Sequence, residues 1–244
     1  MSAPAHLLLG GTGGIGSALA RRLVATGARV TVVARDRGRL DALAAELGVR
    51  TAVADASRPE EIERVSREAL EAYGRLDGLA CLVGSILLKP AHLTTEDDWA
   101  ETMTQNLGTA FAAVRAASRV MRAAGGSVVL MSSAAARVGL PNHEAISAAK
   151  AGVIGLALSA AASYAGARLR FNVVAPGLVR TPLSARLTAN EASLKASTAM
   201  HPLGRIGEPD EVASLVEWLL DPRNGWITGQ VIGADGGLAT VRGR

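Results

Sequence analysis

The stretch L-G-G-T-G-G-I-G, residues 9–16, decides the fold. Gly10, Gly14 and Gly16 stand in a G-x3-G-x-G spacing, after an apolar run and directly before a helical pattern. Glycines let the backbone turn tightly and come close to a diphosphate, whose charge then meets the free N–H groups of the first helical turn. Thr12 and Ile15 lie inside the same loop and fall among the backbone groups that such a ligand would touch. A glycine-rich turn alone is weak evidence. Its weight here comes from its place at the first strand-to-helix junction of a long alternation.

Working outward, short β-branched or leucine-rich runs alternate with alanine-rich helical stretches along the whole chain. That is the pattern of βαβ units and a parallel sheet. Strands are expected near residues 5–10, 29–34, 50–54, 78–83, 126–132, 168–175 and 230–233, and helices near 14–26, 38–47, 59–73, 96–123, 142–165 and 208–221. The expected fold is α/β, a Rossmann-type doubly wound sheet of seven parallel strands in three α/β/α layers, with residues 1–244 forming a single domain. No repeat, low-complexity tract or linker interrupts the rhythm. The segment 182–205, P-L-S-A-R-L-T-A-N-E-A-S-L-K-A-S-T-A-M-H-P-L-G-R, is longer than an ordinary connection. It follows a strand and a proline-glycine turn, so it is expected to form a lid over the crevice at the carboxyl ends of the strands.

Composition narrows the function classes. The 244 residues are 49% hydrophobic and only 3% aromatic, with a formal charge of +4. The basic excess is scattered arginine, so nucleic-acid binding by stacking or by a basic stripe is not expected. Cys81, the only cysteine, sits in an apolar run, which excludes a disulfide framework and fits a reducing cytoplasm. The N-terminus lacks the basic region of a signal peptide. The most apolar helical run, near 151–162, falls short of the roughly 18 residues that span a bilayer, so no membrane partner is expected. No metal site is expected.

The second strand ends V-T-V-V-A-R-D-R-G-R-L, residues 30–40. In a dinucleotide fold an acidic residue closes this strand and holds the ribose hydroxyls of NAD. Ala34 stands there, followed by Arg35, with Arg37 and Arg39 close behind. A guanidinium binds a 2′-phosphate in a bidentate fork, so NADP(H) is the expected cofactor and Arg35 its reader. A solvated basic helix start would explain Arg37 and Arg39, but not the missing acid.

At this point the chain resembles the short-chain dehydrogenase/reductase family, over about residues 5–237. The glycine loop is similar to that family's T-G-x3-G-I-G, with Leu9 in place of the threonine. Asp55, in V-A-D-A-S, matches the aspartate that contacts adenine; C-L-V-G, residues 81–84, occupies the N-N-A-G position and keeps only Gly84. Q-N-L-G carries Asn106 where the family uses an asparagine in a proton relay, and G-G-S-V-V-L-M-S-S ends at Ser133, which would polarise a substrate carbonyl. F-N-V-V-A-P-G-L-V-R-T-P resembles the strand and turn that cover the nicotinamide, which implies cofactor contacts from Pro176, Gly177 and Thr181. I-T-G-Q-V-I-G-A-D-G-G resembles the C-terminal strand and turn, often part of a tetramer interface. The resemblance therefore implies a homotetramer or homodimer acting on a small-molecule substrate. The helix A-G-V-I-G-L-A-L-S-A-A-A, apolar around most of its circumference, independently calls for cover on more than the sheet side.

The resemblance fails at one residue. The family places a proton-transferring tyrosine four residues before the lysine that holds the nicotinamide ribose. In P-N-H-E-A-I-S-A-A-K, residues 141–150, Lys150 is in register, thirteen residues separate Ser133 from the tyrosine position, and that position is Ile146. An isoleucine transfers no proton. Tyr73 and Tyr164 are the only tyrosines, and Tyr164 lies fourteen residues beyond Lys150, roughly 21 Å along a helix. His143 is the candidate substitute, because on one continuous helix His143, Ile146 and Lys150 would share a face. The family's enoyl-reductase branch places its tyrosine at this seven-residue spacing from the lysine and reads P-N before it. Glu144 and Ser147 are expected on other faces; His6, His92 and His201 are expected to be structural or exposed, although His201, in the lid, could touch substrate. The expected catalytic set is thus Ser133, His143, Lys150 and Asn106.

Three readings remain open. The first is an NADP-dependent reductase of a carbonyl, conjugated C=C or C=N, with His143 or an ordered water in place of the phenol. The second is a non-redox lyase or isomerase on the same fold. The third is a nucleotide-binding sensor or partner subunit with little chemistry. The intact Asn-Ser-Lys set and cofactor loop favour the first.

Overall fold

A computed structural model describes residues 3–242. Seven strands, β1 (Ala5–Leu9), β2 (Arg29–Ala34), β3 (Arg50–Val53), β4 (Gly78–Cys81), β5 (Gly126–Met131), β6 (Leu169–Pro176) and β7 (Val231–Ala234), form one sheet in the order β3-β2-β1-β4-β5-β6-β7. Every neighbouring pair is parallel. Parallel strands need helical crossovers that cover both faces, which is why the central strands read as near-continuous apolar runs. In β1, A-H-L-L-L, all five residues are buried. Leu7 and Leu9 face one core layer with Ile62, Val65, Ala113 and Val153. Leu8 faces the other, with Leu19, Leu23, Leu40 and Val216.

The first layer is built by α3 (Pro59–Tyr73), α5 (Thr109–Val120) and α6 (Glu144–Tyr164), with α4 (Glu96–Met103) packed on α6; the second by α1 (Gly14–Ala25), α2 (Arg37–Leu47) and α9 (Pro209–Leu220). Two short helices, α7 (Ala185–Ala189) and α8 (Glu191–Met200), occupy the long segment after β6. Strand order reverses between β1 and β4, and the crevice beyond their carboxyl ends is where ligands bind in open α/β sheets.

Three expectations shift. The helix expected over 96–123 is two helices joined by a π-turn at Thr104–Gly108, with Asn106 inside the turn. The helix expected from 142 begins at Glu144, because Asn142 has a left-handed φ of 63° and His143 is only the cap residue. The apolar helix is also longer than the 151–162 run. Residues 144–167 are long and apolar enough, at a mean hydropathy of 1.6, to cross a membrane by length and composition. In the fold this helix packs on β5 and β6, burying Ala149, Val153, Ala157 and Ala161, as a core helix does.

Candidate active site

The glycine loop leaves β1 at Gly10, whose φ of +75° ends the strand one residue before the expected boundary. A Cβ on Gly16 would lie 2.5 Å from the Gly10 carbonyl oxygen and 2.6 Å from Gly11 Cα, so α1 can approach the loop only through glycine. Gly13 caps α1 and supplies no side-chain acceptor, which leaves the first-turn N–H groups to a ligand. The resulting cleft, about 460 Å³, is lined by Gly10, Thr12, Gly14, Ile15 and Gly16, by Arg35 and Arg39, by Asp55, and by Gly84 and Thr181. Such a bare backbone cradle at a helix N-terminus fits a dinucleotide diphosphate.

The cleft's two ends differ chemically. Beyond β2, Arg35, Arg37 and Arg39 are exposed, and none of their guanidinium groups has a hydrogen bond or ion pair among the described residues. Arg35 and Arg39 face the cleft; Arg37 does not line it. Asp36 also lines it, but its carboxylate caps α2 by accepting from the Arg39 N–H at 3.0 Å. Asp55 accepts from the Ser57 N–H at 2.9 Å and the Ser57 hydroxyl at 2.8 Å. The backbone bond from Ser57, then its hydroxyl and the charge of Arg35, hold the Asp55 carboxyl below the usual range against the opposing effect of burial.

The other end centres on a buried lysine. Lys150, 7% exposed, donates from Nζ to the Met131 carbonyl at 3.0 Å, and the Ser132 hydroxyl donates to the Lys150 carbonyl at 2.8 Å. Burial pushes its ammonium down to about 8, with only the Cys81 charge opposing. Asn106 reaches the same place from the π-turn. Its amide donates to the Thr102 carbonyl and to the Ser85 hydroxyl, both at 2.9 Å, while its oxygen accepts from the Ser85 N–H at 3.1 Å. A π-turn widens the helix and frees a carbonyl of the preceding turn, and here the asparagine amide takes it up. Between the two, Gly84 has no room for a side chain: a Cβ would lie 2.9 Å from Asn106 Oδ1 and 3.1 Å from Lys150 Nζ. A side chain is excluded at Gly84 because Asn106 and Lys150 converge on it, a reason the sequence pattern alone did not supply.

Other sequence expectations meet different surroundings. Ile146, 5% exposed, lies one turn before Lys150 on the buried face of α6. The Ser133 hydroxyl caps a 3-10 turn by accepting from the Ala135 N–H at 3.2 Å. His143 is half-exposed and off the helix; its Nδ1 lies 2.7 Å from the Pro141 carbonyl, which as acceptor makes Nδ1 the protonated nitrogen. It shares a groove of about 390 Å³ with residues 135–140, Glu144 and Ser147, and neither Ser133 nor Lys150 lines that groove. His143 therefore does not share a helix face with Ile146 and Lys150, and Glu144 and Ser147 accompany it instead of pointing elsewhere. Neither tyrosine approaches the site: Tyr73 donates to the Val30 carbonyl at 3.1 Å, and the Tyr164 ring packs 5.8 Å from Phe171.

At the end of β6, Pro176 is buried and Gly177 lines a second cavity, of about 570 Å³, rather than the cleft. Thr181 does line the cleft, with its methyl facing Gly14, but its hydroxyl forms a capping box with Ser184. His201 is 3% exposed with both ring nitrogens occupied, so it is not a substrate contact. His6 is buried in β1, and His92 is exposed in a 3-10 turn. Missed altogether were Ser85 and Thr102, which orient Asn106; no spacing in the sequence marks them, because the π-turn that unites them is a tertiary feature.

Comparison with known proteins agrees with this geometry. The family profile matching residues 10–239 is described as enoyl-(acyl carrier protein) reductase. A tropinone reductase homologue of Arabidopsis thaliana is 37% identical, over 97% of this chain and 92% of its own. A 2,5-dichloro-2,5-cyclohexadiene-1,4-diol dehydrogenase of Sphingobium indicum is 33% identical, over 99% of both chains. Among solved structures, a short-chain type dehydrogenase/reductase from Mycobacterium ulcerans superposes with a TM-score of 0.94 at 31% identity, covering 100% of this chain and 93% of its own. The structure described as ElxO with NADP bound gives a TM-score of 0.91 at 25% identity, covering 98% and 100%. A glycine cradle at the switch point, a buried lysine beside the π-turn asparagine, and relatives matched over nearly their full length make this chain a member of the short-chain dehydrogenase/reductase family of oxidoreductases, built to bind a nicotinamide cofactor.

Proposed function

We propose that the protein is an NADP(H)-dependent oxidoreductase that reduces the carbonyl, conjugated C=C or C=N of a small organic substrate, and that it is an atypical member of its family, with His143 or an ordered water in place of the tyrosine. The observation that carries the reading is the convergence of the Lys150 ammonium and Asn106 on Gly84, at the inner end of a cleft whose outer end offers the unpaired Arg35 and Arg39. A guanidinium pair that no carboxylate hydrogen-bonds among the described residues suits a 2′-phosphate. The NADP-bound state of one structural neighbour supports the same choice.

Bound NADPH supplies a hydride to the electrophilic carbon, and the chain must supply the proton. Gly10, Thr12, Gly14, Ile15 and Gly16 would hold the diphosphate, Asp55 and Gly84 would contact the nucleoside parts of the cofactor, and Thr181 closes the cleft opposite Gly14. Lys150 uses one N–H on Met131 and keeps its others for ribose hydroxyls. The Ser133 hydroxyl keeps its own hydrogen for a substrate oxygen while its lone pair caps Ala135. With Nδ1–H donated to Pro141, a protonated His143 presents Nε2–H as its transferable proton. Because His143 and Ser133 line no common groove, the ordered-water arm gains support: a water on Ser133 or Lys150 would carry the proton to the developing alkoxide. Ile146 neither donates nor accepts and keeps the phenol's place apolar.

The exposed Phe111 and Leu158, on the α5 and α6 surface, support a homodimer or homotetramer. A cytoplasmic location fits the single, buried, unpaired Cys81.

The test is substitution with an NADPH-oxidation assay across carbonyls, enones and imines. His143→Ala should lower turnover by roughly 10²–10⁴-fold with cofactor affinity little changed if the imidazole is the acid. A silent His143→Ala leaves the water. Ile146→Tyr should raise ketone reduction. Activity from Ile146→Tyr with none in the parent would instead identify a nucleotide-binding protein without chemistry.

A further inference from the structure

The lid is held in an unusual way. Helices α7 and α8 contain no buried residue, so hydrophobic burial contributes little to holding residues 185–200. The buried side chains lie just outside them. At the leading end Ser184, 2% exposed, bonds the Val179 and Thr181 carbonyls. At the trailing end stands His201, 3% exposed. Its Nδ1 lies 2.6 Å from the Ser197 carbonyl, in the last turn of α8, and its Nε2 lies 3.2 Å from the Leu178 nitrogen, in the turn after β6. A carbonyl only accepts and a backbone N–H only donates, so the ring is neutral with its proton on Nδ1. The imidazole also packs against Gly177, where a Cβ would come within 2.4 Å of Nε2. Around it the chain locks again: Gly204 N–H donates to the His201 carbonyl at 2.7 Å, and Leu203 N–H to the Gly236 carbonyl at 3.1 Å.

We propose that His201 is a positioning residue whose neutral imidazole latches the trailing end of the lid to the Gly177–Leu178 turn. Without an acceptor at Nε2 the Leu178 N–H would be left unpaired in a part-buried place. The neighbouring ionisable groups do not offer a substitute. Asp235 accepts from the Gly237 and Ala239 N–H groups, Arg205 is paired with Glu211, and Arg180 is paired with Glu208. Glu191 and Lys195, the charges α8 brings, are exposed. The same contacts give Gly177 its reason: the imidazole, not the cofactor, requires a residue without a side chain there. The proposal rests on reading 182–205 as the lid of the proposed oxidoreductase site.

The experiment is amide hydrogen exchange on the whole protein, followed in peptides covering 177–180, 185–200 and the β1–α1 region, with NADPH binding titrated separately by fluorescence. His201→Asn keeps a donor for Ser197 but nothing that reaches Leu178; His201→Gln places an acceptor near Nε2 and loses the Ser197 bond. His201→Asn is expected to speed exchange about tenfold in the 177–180 turn and in α8, with the β1–α1 peptides unchanged. His201→Gln should keep the turn near the parent rate and loosen α8. Unchanged lid exchange in His201→Asn, or loosening spread evenly over the β1–α1 peptides, would each overturn the latch. Failure of the parent to bind NADPH, with the exchange pattern intact, would overturn the cofactor reading and leave the latch standing.

Discussion

Replacing Lys150 by methionine should stabilise the protein while destroying its cofactor site. The ammonium is buried against Met131, Gly84 and Asn106 with no carboxylate beside it, and burial lowers its pKa from 10.5 to about 8. At about 1.4 kcal/mol per pH unit, that displacement costs the folded state about 3 kcal/mol at neutral pH. Methionine has a similar length, gives back that cost, and loses the single hydrogen bond to the Met131 carbonyl, worth about 1 kcal/mol. A net gain of about 1–2 kcal/mol follows at pH 7 without cofactor, a rise of roughly 2–8 °C in Tm for a chain of this size. The sign reverses with pH. Between about 8 and 10.5 the unfolded lysine still binds a proton that the folded one has released, so the parent's stability rises with pH and the mutant's advantage shrinks. Urea unfolding of both proteins at pH 7, 8.5 and 10, beside NADPH titration, measures each part. A mutant less stable than the parent at pH 7, or a difference that does not change with pH, would refute the desolvation argument; unaltered NADPH affinity would refute the placement of the ribose.

If Arg35 reads a 2′-phosphate, Arg35→Ala should weaken NADPH by about 10–100-fold and leave NADH unaffected, because its guanidinium lines the cleft's outer end with no hydrogen bond among the described residues. Equal losses for both cofactors in a fluorescence titration would sink the assignment. His6, buried in β1 with no partner for Nδ1, has its pKa lowered to about 4, first by burial and then by Arg75, with Asp77 opposing. The unfolded chain binds a proton first as pH falls from about 6.5 to 4, so stability should fall through that window by about 3 kcal/mol. His6→Leu should flatten that part of the curve in urea unfolding, and an unchanged slope would contradict it.

The fold was legible because its determinants are local and repeated. Each strand of a doubly covered parallel sheet needs an apolar run, each crossover needs a helix, and the glycine loop must lack side chains where α1 meets β1. The cofactor end was legible for the same reason: Ala34 and Arg35 follow directly from the end of β2, and position along a strand fixes which end of the sheet a residue reaches. Lys150 and Ile146, four residues apart on one regular helix, also had to share a face, and they do.

What failed depended on where helices break and what lies across the chain. One left-handed residue, Asn142, takes His143 off the helix and turns it into a groove with Glu144 and Ser147, so a spacing argument three residues long gave the wrong face. The π-turn that points Asn106 at Ser85 and Thr102 inserts an extra residue that no periodicity of the sequence announces. Gly84 and Gly177 read alike as family glycines. Only the tertiary structure shows that one makes room for Lys150 and Asn106 and the other for His201. The sequence by itself determined the sheet, the order of its helices and the basic outer end of the cleft, since these follow from short-range pattern and from hydrophobic burial that any register error would expose. The tertiary structure decided which polar side chains meet, because a hydrogen bond between residues as far apart as Leu178 and His201 is set by the paths of two loops, and loop paths depend on packing that neighbouring residues do not encode.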